Sequence, residues 1–206
     1  MMKQLDIYSM VLGPVQTNVY PAVNRETKQC LIVDPAYDAE RIIGEIEKLQ
    51  AFPAAVLLTH GHYDHIMAVN EITEHFDLPV ICSSLEDAVL RDPALNLSGA
   101  YTVEADTLLA DEQELTLAGM RIKALSTPGH TAGGMCYYLP DEEVLFSGDT
   151  LFWRSVGRSD LPTGDEKTLL QSIRKKLLPL PDETYVLPGH GPASTIGAER
   201  RQNPFI

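Results

Sequence analysis

The sequence is poor in basic residues, and this shortage excludes two classes of partner. Its 206 residues contain 16 Lys and Arg against 29 Asp and Glu, so the formal net charge is −13 at pH 7. Nucleic acids and anionic membrane surfaces are bound through clustered Lys and Arg, and we expect neither as a partner. The acidic balance is compatible with bound divalent metals, because an ion sets the charge of its own surroundings.

Cysteine is also scarce, and long apolar runs are missing. Cys30, Cys82 and Cys136 lie far apart in apolar surroundings, which is typical of reduced core thiols rather than of disulfides or a zinc cluster. The first fifteen residues are interrupted by polar side chains and are not followed by a small-residue cleavage site. We therefore expect no signal peptide, no membrane span and a cytoplasmic location.

Short apolar strands alternate with helical patterns along the chain. The predicted strands cover residues 5–12, 18–23, 30–35, 54–58, 78–82, 114–117, 120–125, 135–139, 144–149 and 183–187. The predicted helices cover residues 39–50, 66–76, 84–92 and 166–178. No linker rich in Gly, Pro or Ser divides the chain, so we expect one α/β domain over residues 1–206.

Five of the six histidines follow apolar strands directly. They are His60, His62, His65, His130 and His190. The sixth, His75, lies in a helical pattern and is predicted at the surface. A lone histidine after a strand is more often structural, but three within HGHYDH favour a metal site. If the strand extends through His60 and His62, their imidazoles project to the same side and can reach one metal.

The candidate ligands group into two metal sites joined by a carboxylate. The predicted sets are His60, His62 and His130 for one divalent metal and Asp64, His65 and His190 for the other. Two close cations repel and need an anion between them, and Asp149, which ends the strand 144–149, is the predicted bridge. Two simpler alternatives stay open: Asp64 could cap the following helix, and Asp149 could bond only to its own turn.

Four motifs resemble the metallo-β-lactamase superfamily in sequence and in order. They are THGHYDH at 59–65, TPGHTAG at 127–133, GDTLF at 148–152 and PGHG at 188–191. The resemblance covers nearly the whole chain and implies an αββα four-layer sandwich with a dinuclear site at one edge. Within the superfamily the chain is most similar to glyoxalase II, the hydroxyacylglutathione hydrolase, and to its single-domain relatives. That similarity implies a glutathione contact at Gly157 and Arg158, and Asp160 is the third predicted substrate-binding residue.

Three departures from glyoxalase II put the substrate in more doubt than the metal ligands. Pro192 stands where glyoxalase II has an aromatic residue, and Met67 and Ala68 replace a Gly pair after the first motif. The helical C-terminal domain that supplies further glutathione contacts is not expected here.

The predicted activity is that of a dinuclear metal-dependent hydrolase, acting on a thioester such as S-2-hydroxyacylglutathione through a metal-bound hydroxide. Asp64 and Asp149 are the predicted catalytic carboxylates. The cofactor is predicted as two divalent ions, zinc first, with iron or manganese as alternatives. The predicted partner is thus a small-molecule thioester, and the oligomeric state stays open.

Rival functions remain at this point. A mononuclear-iron persulfide dioxygenase looks similar through GDTLF and through Gly157, Arg158 and Asp160. Hydrolysis of another ester, lactone or thioester is a second rival, and a nonenzymatic metal-binding protein is a third. Closed structural zinc sites use four ligands, so seven candidate ligands argue against the last one.

Three further residues have two interpretations each. Asp34 either orients a ligand histidine or only ends its strand. Arg200 and Arg201 are either solvated helix residues or a positive charge for an acidic thiol carrier.

Overall fold

The structure is a computed structural model that describes residues 4–206. The strands of the first half are β1 Leu5–Ile7, β2 Met10–Leu12, β3 Thr17–Asn24, β4 Gln29–Val33, β5 Phe52–Leu57, β6 Val80–Ser83 and β7 Thr107–Leu109. Those of the second half are β8 Glu114–Leu117, β9 Met120–Ser126, β10 Met135–Leu139, β11 Val144–Gly148, β12 Leu151–Phe152, β13 Ser155–Val156, β14 Tyr185–Pro188 and β15 Ser194–Thr195.

The helices are short and lie between strands. They are α1 Ala39–Lys48, α2 Tyr63–Ile66, α3 Val69–Phe76, α4 Asp87–Arg91, α5 Glu166–Ser172 and α6 Ile196–Gln202. A π-helical turn, Ile173–Leu177, extends α5. Among the residues described, no helix is long and apolar enough to cross a membrane.

Two mixed sheets form the centre of the molecule. The first has the order β1-β3-β4-β5-β6-β7, with β2 also paired to β3, and the second has the order β15-β14-β11-β10-β9-β8. Alternation along β4 shows how the sheets are layered: Leu31 and Val33 pack toward the second sheet, and Cys30 and Ile32 pack toward the helices. The architecture is therefore the αββα sandwich that the sequence predicts.

Helices cover the outer face of each sheet. Ile42 and Ile46 of α1 pack on the first sheet, and Leu169 of α5 packs on the second. The α1 helix begins where the Asp38 side chain accepts a hydrogen bond from the Arg41 amide, and Asp165 caps α5 in the same way. The three cysteines are free and buried, as predicted, and burial raises the pKa of each thiol.

Several predicted bounds differ from the structure, and the helix predicted over 84–92 covers only Asp87–Arg91. Two predicted elements are also interrupted. The strand predicted over 5–12 is two strands, because the break between β1 and β2 lies opposite Pro21, which has no amide to donate to the ladder. The helix predicted over 66–76 begins earlier, at Tyr63, and is interrupted near Ala68. The Ala68 amide donates to the Pro35 carbonyl instead of to its own helix.

Five strands end at one edge of the sandwich. In the first sheet β4 and β5 are parallel, and in the second β9, β11 and β14 run in one direction, since β9 and β11 are both antiparallel to β10. The residues that follow these strand ends are Asp34, His60, His130, Asp149 and His190. Strand topology therefore brings residues from distant parts of the chain together.

Candidate metal centre

The first group of ligands consists of three buried histidines. His60 and His62 lie in the turn between β5 and α2, and His130 follows β9. His62 Nδ1 is 2.9 Å from His130 Nε2, which is 3.2 Å from His60 Nε2. The three side chains can hold one metal ion, and we call them the histidine triad.

The second group of ligands mixes carboxylate and imidazole. Asp64 Oδ2 is 3.2 Å from His190 Nε2 and 3.7 Å from His65 Nε2. Asp64 does not cap α2, because that helix begins at Tyr63 with His62 at its N-cap and no side-chain cap bond. The three side chains can also hold a metal ion, and we call them the mixed triad.

Asp149 lies between the two triads. One of its oxygens, Oδ2, is 3.6 Å from His130 Nε2 and 3.5 Å from His190 Nε2. The other oxygen, Oδ1, is 3.4 Å from His65 Nε2 and has no hydrogen-bond partner. The carboxylate thus faces both groups of nitrogen atoms, as a bridging ligand would.

Hydrogen bonds on the outside of the centre determine which ring nitrogens face inward without a proton. His130 Nδ1 lies 2.7 Å from the Arg158 carbonyl, which only accepts, so this nitrogen carries the proton. The Thr59 hydroxyl donates to Asp34 and therefore accepts from His60 Nδ1. In their neutral forms, His60 and His130 then direct unprotonated Nε2 atoms toward each other.

This arrangement fits a bound cation and disfavours an empty polar core. Two bare nitrogens at 3.2 Å repel each other unless a cation lies between them. Among the described residues, the buried His65 Nε2 also has no hydrogen-bond partner, while Nδ1 of the same ring lies 2.9 Å from Asp34 Oδ2. The donors are imidazole and carboxylate, the set that zinc and similar divalent metals accept in proteins.

Charge differs between the two triads. Burial, reinforced by neighbouring imidazoles, lowers the pKa of His60 and lowers that of His62 to about 3. Burial also acts against a charged His65, but Asp149 and Asp34 outweigh it and raise the His65 pKa. Likewise the pKa of Asp149 is lowered, since His65 and other imidazoles overcome the effect of burial.

Asp34 and Thr59 support the centre from behind. Asp34 accepts hydrogen bonds from the Thr59 amide at 2.8 Å, from the Thr59 hydroxyl at 2.7 Å and from His65. Of the two interpretations of Asp34, the contacts favour the orienting one. Partner carboxylates of this kind determine the tautomer and ring direction of a ligand histidine.

Glu86 is a buried residue that the sequence analysis did not single out. Its carboxylate accepts from the Gly61 amide at 2.8 Å, and from the Thr131 hydroxyl and the Gly133 amide at 2.9 Å each. It therefore ties the turn of His60 and His62 to the turn of His130. Burial raises the pKa of Glu86 to about 7 although these hydrogen bonds lower it. A glutamate within the helical pattern SLEDAVLRD gave no sign of this role.

Asn18 and Tyr20 hold the turn of His190, and the sequence analysis missed them as well. Asn18 Nδ2 donates to the carbonyls of Pro188 and Gly191 at 2.9 Å each, and the Tyr20 hydroxyl donates to Pro188 at 2.8 Å. Both residues belong to β3, far away in the chain. Their only signal in the sequence is a polar residue and a tyrosine within an apolar strand.

Two glycines leave room for the ligands. A Cβ on Gly189 would lie 2.2 Å from Asp149 Oδ1 and 2.6 Å from His65 Cε1. A Cβ on Gly157 would lie 1.8 Å from the Asp149 carbonyl oxygen. Gly157, predicted as a substrate contact, thus has a packing reason to be glycine.

A cleft of about 450 Å³ opens beside the ligands. Its lining includes Asp64, Asp149, His190 and the predicted substrate anchor Arg158. The Arg158 guanidinium makes a two-bond ion pair with Asp160, at 2.8 and 2.7 Å, and both side chains are exposed.

The remaining candidates lie apart from this cleft. His75 is exposed on α3, as predicted. Arg200 bonds to Asp182 and to the carbonyls of Leu178 and Leu180, and Arg201 pairs with Asp182 at 3.3 Å. The two arginines therefore have partners on their own side of the molecule, and neither lines the cleft.

Comparison with known proteins gives consistent matches. Residues 12–190 match the profile of the metallo-β-lactamase superfamily. The probable metallo-hydrolase YqgX of Bacillus subtilis (strain 168) is 41% identical over 203 residues, which cover 96% of this chain and 95% of that protein. The hydroxyacylglutathione hydrolase GloC of Haemophilus influenzae (strain ATCC 51907 / DSM 11121 / KW20 / Rd) is 39% identical over 188 residues, covering 88% and 89%.

Solved structures agree with the sequence matches. The crystal structure of BLEG-1 B3 metallo-β-lactamase has a TM-score of 0.92 at 45% identity and covers 97% of this chain and 99% of that chain. TTHA1623 in a di-iron-bound form has a TM-score of 0.85 at 37% identity, with coverages of 97% and 100%.

Proposed function

Because the chain belongs to the metallo-β-lactamase superfamily of metal-dependent hydrolases, we propose that it is a dinuclear thioester hydrolase. One observation carries the proposal. Two triads of metal-binding side chains lie on either side of Asp149, whose carboxylate faces both of them. A dinuclear arrangement of this kind is suited to hydrolysis. A closed structural zinc site needs only four ligands, and the two triads with Asp149 supply seven.

The seven residues would hold two divalent ions, with Asp149 shared between them. Zinc is the first candidate, because the donors are imidazole nitrogen and carboxylate oxygen. Iron is the second, since the similar structure TTHA1623 has a di-iron-bound form. When bound, such ions supply a nucleophilic hydroxide at neutral pH and polarise the carbonyl under attack.

The residues of the chain orient the reactants. Asp64 and Asp149 both line the cleft, and their pKa values are held below the usual range for aspartate by His190 and His65 despite partial or full burial. They therefore remain carboxylates and would accept hydrogen bonds from a water molecule bound between the triads. A thioester suits this site because a thiol of pKa about 8.5 leaves with little protonation.

The relatives guide the choice of first substrates. GloC is named a hydroxyacylglutathione hydrolase, so S-2-hydroxyacylglutathione is the first thioester to test. BLEG-1 is named a B3 metallo-β-lactamase, so a β-lactam belongs in the same panel.

Metal analysis combined with a substrate panel tests the proposal. Purified protein should contain close to two metal ions per chain and should hydrolyse thioesters faster than matched oxygen esters, lactones or β-lactams. A preference for β-lactams would contradict the thioester assignment. One iron per chain, with oxygen consumption on glutathione persulfide, would favour the persulfide dioxygenase alternative instead.

A further inference from the structure

The wall of the cleft is largely apolar where it extends away from the ligands. Val15, Leu97 and Phe152 line it, and they come from the β2–β3 hairpin, from the loop after α4 and from β12. Val15 is 45% exposed and Leu97 is 36% exposed. Exposed apolar side chains that line a concave site are the usual contacts for an apolar part of a ligand.

Leu97 is held in this position against the preference of its backbone. Its φ angle is +65°, in the left-handed region that costs energy for a bulky side chain. Asn96 beside it is buried, and its side chain donates to the Tyr101 carbonyl at 2.8 Å and to that of Leu90. Strained residues that the surroundings hold in place are concentrated at ligand sites.

Hydrogen bonds hold this loop on both sides of Leu97. Asn96, before it, is bonded to the segment that carries the metal ligands, and Ser98, after it, is bonded within the loop. The Tyr63 amide, next to Asp64, donates to the Asn96 carbonyl at 2.7 Å. The Ser98 hydroxyl donates to the Tyr101 carbonyl at 2.8 Å. Leu97 is thus held in the cleft wall by hydrogen bonds of the residues on both sides of it.

Positive charge in the cleft is sparse. Among the described residues that line it, Arg158 is the single Lys or Arg, and Asp160 neutralises its guanidinium. The net charge of the whole chain is −13. Away from the metal ligands, a substrate with several carboxylates therefore finds few cationic side chains, whereas an apolar group finds a preformed wall.

We propose that Leu97 and Val15 bind an uncharged apolar group of the substrate, and that the cleft favours a neutral thioester over one carried by glutathione. This inference rests on the proposed thioester hydrolysis and narrows it. The cleft volume of about 450 Å³ lies at the lower end of the range for small-molecule sites, which suits a short alkyl or aryl group.

Binding of two thioethers that lack the scissile carbonyl tests the proposal without turnover. The metal-loaded protein should bind N-acetyl-S-hexylcysteamine, which is neutral, at least several-fold more tightly than S-hexylglutathione. Leu97→Asn should weaken binding of the neutral compound about tenfold, as expected for apolar contacts in a pocket. Asn tolerates the left-handed region, so the variant should melt about 2 °C higher rather than unfold.

Two other variants complete the design. Val15→Thr changes the polarity of the side chain with little change of shape, and it should also weaken binding of the neutral compound several-fold. Leu108→Asn is the matched control, because Leu108 is 45% exposed on β7 and does not line the cleft. Equal or tighter binding of S-hexylglutathione by the wild type, or unchanged binding of the neutral compound by Leu97→Asn, would overturn the proposal.

Hydrolysis of the hexanoyl thioesters of N-acetylcysteamine and glutathione tests this inference separately from the proposed thioesterase function. If neither thioester is hydrolysed but the neutral thioether still binds more tightly, the thioesterase assignment is wrong and the apolar binding site stands. Turnover of both thioesters with a preference for the glutathione compound would keep the assignment and remove the apolar site.

Discussion

The two triads have similar dimensions but differ in chemistry and exposure. The histidine triad is buried and consists of three imidazoles whose inward nitrogens lie 2.9 and 3.2 Å apart. The mixed triad combines a carboxylate with two imidazoles, and its outer member, His190, has a side chain 26% exposed. Both triads therefore line the cleft, the histidine triad through His62 and His130 and the mixed triad through Asp64 and the more exposed His190.

Different residues support the two triads. Glu86 joins the turns that carry the histidine triad, and Asn18 and Tyr20 hold the turn of His190 in the mixed triad. Asp149 faces both groups. Removing a shared residue should affect both sites, and removing a support should affect the side that it holds.

The largest effect is expected for Asp149→Ala, which removes the shared carboxylate. Turnover should fall on the order of 10³-fold, because the two sites lose the charge between them. Metal content should drop below two per chain while the far-UV circular dichroism stays unchanged. Asp141→Ala, which removes an exposed aspartate outside the cleft lining, is the control for loss of charge alone. Wild-type turnover in Asp149→Ala would exclude the bridging role.

Gly189→Ala should affect the mixed triad first. The new methyl group would overlap Asp149 Oδ1 and the His65 ring, so we expect roughly 100-fold lower turnover, the scale of a small misplacement of reacting groups. Metal analysis should show loss of one ion before the other. Gly44→Ala is the control, because nothing lies within 4 Å of its added methyl group. Equal occupancy of both sites would contradict the separation between the triads.

Glu86→Gln should have the smallest effect, on stability rather than chemistry. Glu86 has a raised folded pKa of about 7 against 4.5 when unfolded, so the folded protein binds the extra proton between these values. The stabilisation that this proton gives to the folded state is fully present below pH 4.5 and is lost as the pH rises through 7. Between pH 5 and 8, the free energy of unfolding of the wild type should thus fall by about 2 kcal/mol relative to that of Glu86→Gln.

Urea unfolding in the presence of a chelator measures this difference at each pH. Subtracting the variant from the wild type cancels the titration of the ligand histidines. A pH-independent difference would show that Glu86 titrates near its ordinary value.

Much of the centre was predictable from local patterns. HGHYDH, the two Pro-Gly-His turns and Asp149 each follow an apolar strand, and polar residues at strand ends meet when the strands run in one direction. The layering was predictable as well, through resemblance to a known family. The helix break near Ala68 was not, because it depends on a carbonyl from another segment.

The ligand types, their placement after strands and their predicted division into two groups follow from the local residue pattern. The residues that hold these ligands in place are visible only in the folded chain. Glu86 reaches three donors in two other turns, Asn18 bonds across 170 residues, and Leu97 enters the cleft in a left-handed conformation. The physical reason is that a local pattern records which face of a segment is buried, whereas hydrogen-bond partners depend on which segments the sheet order brings together.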